Sequence, residues 1–278
     1  MLKLRPMLRR SADDHVLVFG CRLSGMSAQA ADRRRTVLVT GATRGIGHAC
    51  ALLLSENGWN VVGVGRDRVA LSELGSALGA RGVTLEGDVG CRAVNEEAVA
   101  ACLGSFGGLD AAVASAGVTL AKTIDATSDE EFDRLVSVNL RALVYLAQAV
   151  HQPLARRRGS LTFLASNKAL VAQRGSPIYV ATKGAVVQLA RALALDWADE
   201  GVRVNAVCPG VVDTDMLRRF VEAGPDPEQA LHAVIDAQPI RRLGTANECA
   251  RAVEFLASDA ASYITGLALP VDGGFLAQ

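Results

Sequence analysis

Tyr179 and Lys183 stand four residues apart in a stretch that is otherwise mostly Ala, Val and Leu, a spacing that sets a phenol and an amine on one face of a helix. A phenol titrates near pH ~10 and is by itself a poor base at neutral pH. An ammonium close by would favour the phenolate and bring its titration down. Ser166, upstream at the end of an apolar run, offers a hydroxyl suited to polarising a carbonyl oxygen. Tyr-x-x-x-Lys alone usually marks an exposed helix face. In an apolar helix, with that serine upstream, it points instead to proton transfer at an oxygen.

The partner for such chemistry is suggested nearer the start of the chain. After an apolar strand comes Thr40-Gly41-Ala42-Thr43-Arg44-Gly45-Ile46-Gly47, then a helical run from His48 to Asn57. Glycines let the backbone turn sharply and approach a pyrophosphate, while the following helix aims free N–H groups at the anion. Thr43, Arg44 and Ile46 fill the loop between them. At the end of the second strand, where an acidic side chain would hold the ribose hydroxyl of NAD, stands Val64-Gly65-Arg66-Asp67. The Arg66 fork, with Arg44 as a second charge, suits a 2′-phosphate and favours NADP(H). NAD(H) stays open if Asp67 takes the ribose and Arg66 points to solvent. Asp88-Val89, after the third strand, is a candidate adenine contact.

Elements able to position these groups follow from Thr36 onward, where short apolar strands alternate with longer helical stretches, the pattern of βαβ units in a parallel sheet. The strands read as 36–40, 60–65, 83–86, 111–115, 160–165, 202–207 and 268–271. Their near-continuous Val, Leu and Ala content implies helices on both faces. Ser128 and Glu131 form a capping-box signature for a helix running through Leu146. The helix from about Pro177 to Ala198 is apolar nearly all round and must be covered on more than one side, by a second subunit or by its own chain.

Composition narrows the function classes. Lys and Arg number 29 and so do Asp and Glu, so no global field draws nucleic acid or anionic membrane. Aromatic residues make up 4 %, too few for a base-stacking surface. Cys21, Cys50, Cys91, Cys102, Cys208 and Cys249 include no CxxC pair, and the histidines show no HxxxH or HExxH spacing, so neither a disulfide framework nor a metal site is expected. No apolar run was expected to reach the ~20 residues of a membrane span.

Taken together, these residues resemble the short-chain dehydrogenase/reductase family from Thr36 to the C-terminus. The motifs are the glycine loop 41–47, Asp88, Ala116-Gly117, Asn139, Ser166, Tyr179, Lys183, Pro209-Gly210 with Thr214, and Asp272-Gly273-Gly274. The resemblance implies a single-domain Rossmann-type α/β fold with a central seven-stranded parallel sheet, assembled as a homotetramer or homodimer. It implies Tyr179 as general acid/base and Ser166 as substrate-orienting hydroxyl. Lys183 would bind the nicotinamide ribose and lower the tyrosine pKa. Asn139 would hold a water linking the lysine to a proton relay. Pro209, Gly210, Val212 and Thr214 would contact the nicotinamide carboxamide. One departure stands out: the family's Asn-Asn-Ala-Gly reads Ala114-Ser115-Ala116-Gly117 here, leaving Ser115 a shorter hydrogen-bonding group beside the adenine ribose.

The C-terminal half is most similar to 3-oxoacyl-carrier-protein reductases and polyol or sugar dehydrogenases, which implies a small-molecule or carrier-bound carbonyl or alcohol substrate. Segment 213–243, rich in charge, is expected to close over it, its arginines either attracting an anionic substrate or simply solvated. Asn167, Lys168, Val171 and Gln173 are expected to line the pocket. Residues 1–34 are Arg-rich and expected to be a poorly ordered extension before a domain over 35–278. A targeting peptide fits Asp13 and Asp14 badly, and a start at Met26 is the other reading. The protein is expected to be cytoplasmic. A non-catalytic NADP(H)-binding regulator remains the alternative, disfavoured because Ser166, Tyr179, Lys183 and Asn139 are all present.

Overall fold

Strand β1 (Thr36–Thr40) has no exposed residue, and its side chains alternate between two cores: Val37 and Val39 join one, Leu38 the other. That two-sided burial is what its uninterrupted β-branched and leucine content requires. The computed structural model describes residues 33–222 and 226–278, of which those from Arg34 onward belong to one folded unit. The expectations for residues 1–32, including Cys21 and Met26, lie outside the described residues.

The sheet adds β2 (Asn60–Gly65), β3 (Gly82–Glu86), β4 (Ala111–Ala114), β5 (Ser160–Leu164), β6 (Arg203–Pro209) and β7 (Ala268–Val271). All pairings are parallel, in the order β3-β2-β1-β4-β5-β6-β7. The seven strands are the expected ones, with ends shifted by a residue or two. Ser115 and Ala165 lie just beyond β4 and β5, and β6 begins at Arg203 but runs on to Pro209. Ladder ends are set by the neighbour's length, which no local sequence reports.

Helices α1 (Gly45–Glu56), α2 (Arg68–Leu78) and α9 (Ala246–Ala257) supply Cys50, Leu54, Leu74, Val253 and Leu256 to one core. On the other face lie α3 (Arg92–Phe106), α5 (Ala142–Arg157) and α6 (Pro177–Asp196), with Cys102, Leu146, Val150, Val186 and Ala190. Winding reverses between β1 and β4. In a doubly wound sheet the crevice at the carboxyl ends of the strands, at that reversal, is where ligands bind.

Two expectations about helices need correction. The helix capped by Ser128 does begin with the reciprocal box, Ser128 Oγ accepting from the Glu131 N–H at 3.3 Å and Glu131 Oε2 from the Ser128 N–H at 3.1 Å. It does not run unbroken to Leu146, however: α4 (Asp129–Val136) gives way to a π-turn over Ser137–Arg141 before α5 resumes. The second concerns α6, whose 20 residues and mean hydropathy of 1.3 are long and apolar enough for a membrane span by length and composition. It packs against β6 instead, burying Lys183, Val186, Val187, Ala190 and Ala194. Its opposite side, with Leu195 80 % exposed, is not covered by the other described residues.

Candidate active site

The glycine loop between β1 and α1 is built for close approach. Gly41 has φ +68°, and a methyl group there would lie 2.7 Å from the Ala116 nitrogen. A methyl on Gly47 would collide with the Gly41 carbonyl and come within 3.0 Å of Ser115 Oγ. Gly45, at φ +56°, faces the methyl of Thr214. The loop therefore packs directly on the turn after β4, and side chains would fill the concavity that its backbone N–H groups and the α1 N-terminus surround. These are the contours that a dinucleotide pyrophosphate fits.

Thr43 packs over Gly65, where no side chain would fit. Arg44 is the N-cap residue of α1 and is exposed, and Ile46 is half-buried beside the second core. Arg66 projects from the end of β2, 56 % exposed, with Nη1 3.6 Å from Asp88 Oδ2. Asp67 does not share that freedom: its carboxylate caps α2 by accepting from the Ala70 N–H at 3.1 Å. Asp88 Oδ1 accepts from the Gly90 N–H at 2.8 Å. Val89 is 8 % exposed and belongs to the core, which leaves only its backbone to meet a ligand.

Across the strand ends lie the groups with proton chemistry. Ser166 caps a short 3-10 turn (Asn167–Ala169), its Oγ accepting from the Lys168 N–H at 3.1 Å. Tyr179 lies in the first turn of α6; burial pushes its pKa up and Ser166 pulls it down. Lys183 is 6 % exposed and donates from Nζ to the Leu164 carbonyl at 2.9 Å. Burial lowers its pKa to about 8. Its ammonium lies 5.9 Å from the centre of the Tyr179 ring. The expected lowering of the tyrosine by the lysine is thus not what the protein alone displays. Burial is the larger effect on the phenol, and the amine is turned to a carbonyl.

Asn139 sits in the π-turn, 1 % exposed. Its carboxamide grips Val118, Oδ1 accepting from the N–H and Nδ2 donating to the carbonyl, both at 2.9 Å, and Nδ2 also reaches Thr182 Oγ1 at 3.3 Å. A methyl on Gly117 would lie 3.6 Å from both Asn139 Oδ1 and Lys183 Nζ. The side-chain amide is therefore engaged in holding the chain after β4. Val118, Thr182 and the Leu164 carbonyl were not foreseen, because a backbone group recruited from afar leaves no trace in composition or spacing. Cys208, at the end of β6, is a further neighbour of Ser166 and Lys183, its thiol pushed up to about 11 by burial.

At the third edge, Gly210 donates to the Val271 carbonyl at 2.9 Å and packs so closely on Asp272 that a methyl would lie 2.7 Å from its Cα. Pro209 ends β6; Val212 is buried, and Thr214 Oγ1 donates to the Val212 carbonyl at 3.3 Å. Beyond lie α7 (Asp215–Glu222) and α8 (Pro227–Asp236) in the expected covering segment. Its arginines are largely engaged: Arg218 with Asp213, Arg241 with Asp236, and Arg242 with Glu248. Among the described residues no His, Cys, Asp and Glu cluster could hold a metal.

A family model described as Enoyl-(Acyl carrier protein) reductase matches residues 41–276. The 3-oxoacyl-[acyl-carrier-protein] reductase of Escherichia coli K12 is 35 % identical over 241 residues, covering 86 % of this chain and 96 % of that one. Among solved structures, L-sorbose reductase from Gluconobacter frateurii, complexed with NADPH and L-sorbose, superposes with TM-score 0.83 at 29 % identity over 88 % and 98 % of the two chains. The 3-ketoacyl-(acyl-carrier-protein) reductase from Brucella melitensis, complexed with NADH, does so with TM-score 0.80 at 30 % identity over 87 % and 98 %.

Proposed function

From the premise that the chain belongs to the short-chain dehydrogenase/reductase family, we propose an NADP(H)-dependent oxidoreductase acting on a carbonyl or secondary alcohol, with Tyr179 as its general acid/base. Family membership makes it a hydride-transferring dehydrogenase or reductase with a nicotinamide cofactor. The finer reading rests on one observation: Ser166, Tyr179, Lys183 and Asn139 converge at the carboxyl edge of the sheet beside the glycine cradle.

When bound, the nicotinamide supplies or accepts the hydride. Gly41, Thr43, Arg44, Gly45, Ile46 and Gly47 would hold the pyrophosphate; Asp88, the Val89 backbone, Ser115, Ala116 and Gly117 the adenosine side; Pro209, Gly210, Val212 and Thr214 the carboxamide. In the reducing direction Ser166 donates a hydrogen bond to the substrate oxygen, and Tyr179 gives its proton to that oxygen as the carbonyl becomes an alcohol. Lys183 binds the nicotinamide ribose and supports the phenolate left behind. Asn139 fixes the Gly117–Val118 backbone against which the lysine sits.

NADP(H) is favoured over NAD(H) because Asp67 is spent on capping α2, while Arg66 is exposed and held only by a 3.6 Å pairing. The substrate is proposed to be a small-molecule or carrier-bound carbonyl or alcohol. A homotetramer or homodimer would cover the outer side of α6. The separate, free described cysteines suit a reducing, cytoplasmic setting.

The experiment is a screen of ketones and alcohols with NADPH and NADH in parallel, wild type against Tyr179→Phe. Turnover with the wild type, abolished in the variant while cofactor still quenches protein fluorescence, supports the assignment. Full activity in the variant removes the acid/base.

A further inference from the structure

Two residues after Ser166 stands Lys168, whose backbone N–H bonds Ser166 Oγ at 3.1 Å. From that turn the side chain runs to the C-terminal segment, where Nζ lies 4.1 Å from the centre of the Phe275 ring. Phe275 follows the Asp272-Gly273-Gly274 turn that leaves the carboxyl end of β7, and Gly273 and Gly274 face Ile240 and Pro239. The ammonium is therefore held at the rim of the cleft, between the serine turn and the covering segment.

No carboxylate pairs with it among the described residues. Asp272, the acid closest in sequence to Phe275, is used up by accepting from the Gly274 and Leu276 N–H groups at 3.1 and 3.0 Å. Of the four arginines of the covering segment, Arg218, Arg241 and Arg242 are in the opposite situation, each beside an acid of its own. Lys168 is also partly desolvated, and burial draws its pKa below the ordinary lysine value. A cation kept from water without an internal counter-charge is unfavourable unless an anion arrives from outside.

Resting on the oxidoreductase reading above, we propose that Lys168 selects an acidic substrate: its ammonium receives the carboxylate of an oxo or hydroxy acid whose reacting oxygen lies on Ser166. The Phe275 ring face holds the cation in place for this contact without neutralising it. The paired arginines take no part in it.

The test uses the full chain and matched probes, acetoacetate and levulinate, each against its methyl ester. Wild type is expected to favour the better-fitting acid over its ester by about tenfold or more in kcat/KM, mostly through KM, as for a charge-assisted hydrogen bond. Lys168→Met should erase that preference, and Lys168→Arg should keep most of it. Calorimetric binding of the same acids to the NADP+ complex gives a second readout independent of turnover. If neither acids nor esters react, the calorimetric comparison decides the role of Lys168, while the acid/base reading is judged separately by Tyr179→Phe. Equal affinity for acid and ester in the wild type, or an unchanged preference in Lys168→Met, would overturn the proposal.

Discussion

Replacing Lys183 by Met tests the electrostatic description of the site through stability alone. The folded protein holds this amine at a pKa of about 8 against an ordinary 10.5. At about 1.4 kcal/mol per unit, keeping the buried amine charged at pH 7 costs about 3 kcal/mol. Because the folded-state value is the lower one, the unfolded chain holds a proton between about pH 8 and 10.5 that the folded chain has released. Stability from this group therefore rises with pH across that window, by roughly 2–3 kcal/mol between about pH 7 and 10. Buried thiols work the other way: Cys102 and Cys249 are pushed up to about 12 and Cys208 to about 11, so the folded state keeps protons that the unfolded state loses above pH ~9. The quantity to measure is accordingly the difference between wild type and Lys183→Met, by thermal unfolding without cofactor at several pH values. The variant loses the bond to the Leu164 carbonyl, a constant offset. Its standing relative to wild type should fall by roughly 5–10 °C in Tm from pH 7 to 10. Parallel curves over that range would mean that the amine is not desolvated, and the account of how it acts on Tyr179 would go with it.

Other expectations can be checked separately. Arg66→Ala should raise the KM for NADPH about 10–100-fold and leave that for NADH within a few-fold, since a charge-assisted bond to phosphate is what is removed; equal losses for both cofactors would contradict the 2′-phosphate assignment. Gly47→Ala should weaken binding of either cofactor, because its methyl is driven into the Gly41 carbonyl and the loop must open. Unchanged titration of NADPH fluorescence would show that the loop is not the pyrophosphate cradle.

The sheet was legible because each buried strand announces itself twice, by a β-branched or leucine run and by the glycine or polar turn that ends it. Thr36–Thr40 followed by the glycine loop is the clearest case. Tyr179, Lys183 and Ser166 were legible for a different reason: each combines a reactive group with an apolar setting that rarely tolerates one. What the sequence hides is where backbone groups end up. The π-turn at Ser137–Arg141 depends on Asn139 clasping Val118, 21 residues away in the chain, and the helical pattern through Phe132, Leu135 and Leu146 gives no warning of it. The engagement of Asp67 in a cap, which bears on cofactor choice, likewise needs coordinates, since Arg66-Asp67 as letters reads equally well for either cofactor. The outer side of α6 falls between: its apolar composition is plain, but only the fold shows that the described residues leave it open.

The buried groups near the reacting atoms share one tendency. Burial pushes the Tyr179 phenol and the Cys208 thiol up and pulls the Lys183 amine down, so each is driven towards its neutral form. A phenolate is therefore costly in the protein alone, and a serine hydrogen bond only partly offsets that cost. A base of this kind becomes competent when positive charge is added within the same low-dielectric volume, where it acts far more strongly than in water. On the proposed assignment, the proton-transfer step would be coupled to occupancy of the glycine cradle. Tyr179 should titrate lower with an oxidised nicotinamide bound than with a reduced one, which favours the phenol as acid for reduction and the phenolate as base for oxidation.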